Sequence, residues 1–135
     1  MQNIDKEIIA TIYKHDGYVQ SSKGLKIALD HLNHPNKGAT AGELFAMSLA
    51  ACLSSTLSKV LAAHQQTHDF SIDVKHQSHI ESNKHDGYYF SYHVVFKIPH
   101  ILPSLGEKYI ALTKKLCPIS KMLTSYSHYT SELIL

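Results

Sequence analysis

The chain has 135 residues, 44% of them hydrophobic, and a formal net charge of +2. That length suits one domain spanning residues 1–135 with a real apolar core. All 13 basic residues are lysine. Nucleic-acid binders favour arginine for bidentate contacts to bases and phosphates, so a small all-lysine excess argues against a nucleic-acid partner.

The first seven residues, Met-Gln-Asn-Ile-Asp-Lys-Glu, lack the basic start and apolar run of a signal peptide, which leads to the expectation of a cytoplasmic protein. Residues 4–30 read as three short strands. Ile8, Ala10 and Ile12 alternate with Glu7, Ile9 and Thr11. His15-Asp16-Gly17 is a tight-turn signal, and Tyr18–Ser21 is the return strand. Ser22-Lys23-Gly24 makes a second turn before Leu25, Ile27 and Leu29. The Asn, His, Pro, Lys and Gly residues between His31 and Ala39 read as a loop.

A long helix is predicted from about Ala41 to Ala63. Thr40-x-x-Glu43 fits a capping box at its start, which offers Glu43 a structural role. Leu44, Phe45, Met47, Leu49, Ala50, Ala51, Cys52 and Leu53 cover every direction of the helical wheel, the mark of a helix buried on all sides. The second half is one-sided, with Leu53, Leu57, Val60 and Leu61 at helical spacing. Glu43, Ser48, Ser54-Ser55-Thr56 and Lys59 interrupt the segment, so it does not read as a membrane span.

Phe70, Ile72 and Val74 share one face of a strand over Asp69–Ile80. A turn at Asn83–Gly87 leads into the clearest strand, Tyr88–Ile98. The pentapeptide Lys-His-Asp-Gly-Tyr occurs at 14–18 and 84–88, both times at a hairpin turn, while its flanks differ. It is reused turn chemistry rather than a repeat architecture. Leu105, Tyr109, Leu112 and Leu116 mark a second amphipathic helix with Ser104 as its cap. Pro118 opens a third, short helix with Cys117 at its N-cap, and Tyr129–Leu135 is a last strand. The order is βββ-α-ββ-α-α-β, an α+β pattern with the long helix set against antiparallel sheet.

The chain has two cysteines, Cys52 and Cys117. In a cytoplasmic protein they are either inert buried thiols or partners in redox chemistry. A helix N-terminus favours a thiolate at Cys117, whereas Cys52 at mid-helix has no such help. Pairing requires their Cα atoms within about 7 Å. The histidines offer little by comparison. His64 and His68 have a metal-compatible spacing, but His76 and His79 on one strand face opposite sides, and no cysteine or carboxylate joins either pair at a zinc-site spacing. His15 and His31 lie near the N-terminal loops without a distinguishing pattern. Neither a metal nor a cofactor is expected.

Glu43-Leu-Phe-Ala-Met-Ser-Leu-Ala-Ala-Cys52, followed by Cys117-Pro-Ile-Ser120, resembles the OsmC/Ohr family of osmotically inducible and organic hydroperoxide resistance proteins, and the element order matches along nearly the whole chain. The resemblance implies an intertwined homodimer with active sites at the subunit interface. It implies a thiol-dependent peroxidase acting on small apolar or organic hydroperoxides in oxidative-stress defence. Cys52 would be the peroxidatic thiol, Cys117 the resolving thiol, and Glu43 the carboxylate of the site, with an external dithiol reductant in place of a cofactor. Two features depart from the family's peroxidases. Their thiolate-stabilising arginine is missing, leaving Lys14, Lys23, Lys26 or Lys37 to supply charge, and Gly42 stands where they carry a carboxylate. The alternative is a non-peroxidase dimer of the same fold that binds a small apolar ligand or senses redox state.

Overall fold

The computed structural model describes residues 7–12, 17–30, 38–66 and 68–134. The chain divides into two compact units, Met1–Ala41 and Gly42–Leu135.

The first unit is a three-stranded antiparallel meander of β1 (Ala10–Ile12), β2 (Tyr18–Ser21) and β3 (Lys26–Ala28). Thr11 faces Gln20, and Val19 faces Ile27. Gly24 turns the chain between β2 and β3 at φ +98°, a conformation that glycine adopts without a Cβ penalty. Beyond β3, Leu29 forms an isolated parallel bridge with Ala39. Gly38 permits that approach, because a Cβ there would lie 2.4 Å from the Leu29 carbonyl carbon.

The second unit carries the core. Helix α1 (Ala41–Ala63) begins directly after Thr40, the residue expected to cap it, with Glu43 in its first turn, where a carboxylate favours the helix dipole. Strands β4 (Ser71–Ile80) and β5 (Tyr88–Lys97) form a long antiparallel hairpin in which Val74 faces Val94 and His76 faces Tyr92. The turn between them is a short 3₁₀ segment, Lys84–Asp86, closed by Gly87 at φ +90°. Helices α2 (Pro103–Leu116) and α3 (Pro118–Met122) then lead to β6 (Tyr129–Ile134).

The sheet order is β4-β5-β6. The expected antiparallel pairing holds for β4 and β5, while β6 adds to the sheet parallel to β5, with Val94 opposite Ser131. The two intervening helices carry the chain back to the end where β5 started, as a parallel crossover must. Helix α2 differs in one detail. Pro103 occupies its first turn and Leu102 its N-cap, so the expected cap, Ser104, lies inside the helix.

Leu49, Leu53, Leu57, Val60 and Leu61 of α1 are buried with Tyr92, Val94 and Phe96 of β5, Tyr109 and Ile110 of α2, and Cys117. The second half of α1 is therefore one-sided as predicted. The first half is not covered all round within one chain: Met47 is 60% exposed, and Leu44, Phe45, Ala46 and Ala50 are half-buried. By length and composition α1 could cross a membrane, but its leucines form this core, and it is a core helix rather than a membrane span.

Candidate active site

The two cysteines come from different elements. Cys52 sits at the middle of α1, half-buried. Cys117 terminates α2 and is the N-cap of α3, with Pro118 opening that short helix as its sequence predicts. Its side chain is completely buried. The fold brings these positions together: the sulfurs are 2.7 Å apart, with the Cys117 thiol donating to Cys52 Sγ. An S–S bond is about 2.05 Å long, so both are free thiols in contact.

Burial pushes the Cys117 thiol above its ordinary pKa, and the neighbouring Cys52 raises it further. The backbone amides of Ser120 and Ile119, at the start of α3, act in the opposite direction and favour the thiolate. The sequence correctly anticipates that amide contribution, but desolvation outweighs it. Cys117 is held as a protonated donor.

Glu43 is not brought to the thiols within one chain. It precedes Cys52 by nine residues on α1, which at about 100° per residue puts the two side chains on opposite sides of the helix, about 13.5 Å apart along its axis. Glu43 instead lines a groove of about 410 Å³ with Ala46, Met47, Ala50, Val74 and His76.

The environment of Gly42 is also decided by His76. A Cβ on Gly42 would lie 2.0 Å from His76 Nε2. That imidazole is stacked on Tyr92 (4.9 Å between centroids) and meets Phe90 edge-on, while the Tyr92 hydroxyl donates to the Gly42 carbonyl at 3.4 Å. Gly42 is thus the residue that admits the His76 ring against the helix start. Sequence reading saw only the missing carboxylate at this position. The pairing with a histidine 34 residues later has no local sequence signal.

The other sequence candidates are accounted for locally. His64 Nδ1 bonds the Val60 carbonyl at 2.8 Å and its ring packs on Tyr109; His68 lies between the Pro99 carbonyl and the Gln66 side chain. His76 and His79 do face opposite sides of β4, His79 stacking on Tyr89. Among the described residues, no group of three or more His, Cys, Asp or Glu could hold a metal. Lys26 lies over the Tyr18 ring at 4.4 Å. His15, His31, Lys14 and Lys37 lie outside the described residues.

The family model described as OsmC-like protein matches residues 34–131. The chain belongs to the OsmC-like family. Its fold is shared with solved structures of low sequence identity. A Lactobacillus casei structure is 22% identical with a TM-score of 0.84, covering 98% of this chain and 92% of that one. The organic hydroperoxide resistance protein OsmC of Legionella pneumophila is 20% identical (TM-score 0.78; 98% and 97% covered). The organic hydroperoxide resistance protein OhrB of Bacillus subtilis is also 20% identical (TM-score 0.77; 95% and 96% covered). No curated protein matches the chain by sequence.

Proposed function

We propose that this OsmC-like protein is a thiol-dependent peroxidase that reduces organic hydroperoxides through Cys52 and Cys117. The observation that carries the reading is the contact of a half-open thiol with a fully buried one, 2.7 Å away. An incoming peroxide reaches Cys52 first, because Cys117 has no exposed surface.

The Cys52 thiolate attacks one peroxide oxygen. The O–O bond breaks, the alkoxide leaves and takes up a proton as an alcohol, and Cys52 becomes a sulfenic acid. Cys117 then attacks the sulfenic sulfur, forming the disulfide and releasing water after proton transfer to the leaving hydroxide. An external dithiol reduces that disulfide by exchange, regenerating both thiols and becoming oxidised itself. The reducing poise of the cytoplasm suits such a cycle. Phe45, which packs on Tyr92 at 5.2 Å, belongs to the apolar surroundings that favour an organic peroxide over hydrogen peroxide. Glu43 takes no step in this scheme.

The exposed apolar face of α1, centred on Met47, fits burial against a second copy of the chain, the intertwined homodimer characteristic of the family. The same sheet face that packs on α1 continues beyond it to Phe90, Tyr88 and Ile80, which are 36%, 72% and 61% exposed.

The test is a thiol count on reduced protein before and after one equivalent of tert-butyl hydroperoxide per chain. Two thiols should be lost per chain, none in Cys52→Ser, while Cys117→Ser should stop at a sulfenic acid that a dimedone probe captures. Two thiols surviving in the folded protein would sink the peroxidase reading and favour the ligand-binding dimer.

A further inference from the structure

A cavity of about 470 Å³ lies between the end of α2, α3 and the start of β6, lined by Lys114, Lys115, Ser120, Lys121, Thr124 and Tyr129. Three lysines line it, and among the described residues no carboxylate does. Among the described residues, none of the three lysines is ion-paired; the salt bridges there are His93–Glu132 and Lys97–Asp73. Lysines in the last turn of a helix complement its dipole, which accounts for Lys114 and Lys115 on α2. Lys121 stands likewise in the last turn of the short α3, but the dipoles of two separate helices account neither for the meeting of their lysines at one cavity nor for the hydroxyls at the same place.

Lys114 is preorganised. Its Nζ donates to Ser131 Oγ at 2.7 Å and lies 6.0 Å from the centre of the Tyr129 ring. Ser120 is buried, and its Oγ is 2.8 Å from Tyr129 Oη. Burial, as the largest effect, holds the Tyr129 phenol above its ordinary pKa, so it stays protonated. Two hydroxyls bonded to each other share one hydrogen between them and leave one O–H free to donate.

The geometry points to a binding subsite for a small oxyanion, a carboxylate or phosphate group, held by Lys114, Lys115 and Lys121 and by the free hydroxyl of the Ser120–Tyr129 pair. Unpaired ammonium groups and a preset O–H are the donors that such a group requires, and charge-assisted bonds to it are the strong kind. The site adjoins the thiol pair: the amide of Ser120 acts on Cys117, and a Cys117 thiolate opposes ionisation of Tyr129. A molecule anchored here by its anionic end is thereby held beside the buried thiol.

The test follows the amide resonances of Ser120, Lys121 and Thr124 in the reduced full-length protein during separate titrations with inorganic phosphate and butyrate, each against sodium chloride at equal ionic strength. The expected result is saturable shifts confined to this cavity, weakened about tenfold in Lys121→Gln and abolished in Lys115→Gln/Lys121→Gln. Both lysines are exposed, so the variants keep the fold, as unchanged resonances elsewhere would verify. Saturation by phosphate alone identifies a phosphate site, by butyrate alone a carboxylate site, and by both a general oxyanion site. Shifts no greater than with chloride, or saturable shifts undiminished in the double variant, would overturn the assignment. The readout is binding, so it stands or falls separately from peroxidase activity.

Discussion

At the scale of single residues, the two thiols are unlike because their surroundings are unlike. Cys117 is enclosed, donates its hydrogen to Cys52 and keeps it as a neutral thiol. A native pKa raised above the unfolded one means that the folded chain holds this proton more tightly than the unfolded chain. The associated stability is complete below the ordinary thiol range, about 8.5, and is lost as pH rises from there through the native value. Unfolding free energies from urea titrations should therefore fall as pH rises above about 8.5 in the reduced protein. The same limb should be flatter in Cys117→Ser, where this thiol is gone; equal slopes would contradict the assignment. Gly42 is a second residue whose identity is set by a neighbour. Gly42→Ala should cost about 1–3 kcal/mol, as overpacking does, because the His76 ring is held between Tyr92 and Phe90 and cannot swing clear freely. In a His76→Ala background the same change should be neutral or stabilise by up to about 1 kcal/mol through helix propensity. Urea unfolding of the four proteins measures the coupling, and equal costs in both backgrounds would show that His76 is not the obstacle.

At the scale of elements, α1 divides its labour by face. Its Leu49–Leu53–Leu57–Val60 row fills the core, which holds Cys52 in fixed relation to the end of α2. Cys117 is placed by a helix break: Pro118 prevents α2 from continuing, and the residue before a proline is driven to extended backbone, here φ −67° and ψ 120°. That extended residue turns the chain from α2 into α3 and leaves the sulfur directed at α1. Glu43, on the same helix as Cys52, is half a turn out of phase with it and faces the groove beside Val74 and His76 once β4 packs there.

At the scale of the whole molecule, the apolar surface around Met47 and beyond Phe90 is the one on which the proposed homodimer rests. Sedimentation equilibrium should return twice the 15.1 kDa chain mass. Met47→Lys, which would bury an unpaired charge at that surface, should weaken association at least about tenfold. A wild-type chain that sediments as a monomer at tens of micromolar would remove the homodimer from the reading.

Much of the fold was legible because it rests on local patterns. The spacing of Leu53, Leu57, Val60 and Leu61 marks a helix face, the alternation from Tyr88 marks a strand, and Cys117-Pro118 marks a helix start; each is a short-range preference of the backbone or of apolar periodicity. The motifs around both cysteines also pointed to the family, which the match over residues 34–131 bears out. Local pattern does not encode distance between elements. That Cys52 and Cys117 touch, that Glu43 faces away, that β6 runs parallel to β5 and that His76 fills the space above Gly42 were decided by packing. The same holds for three lysines from two helices meeting around Ser120 and Tyr129. Sequence determines which residues can be buried and which can react. Only the tertiary fold, by burying one thiol against the other, decides which of them stays open to solvent.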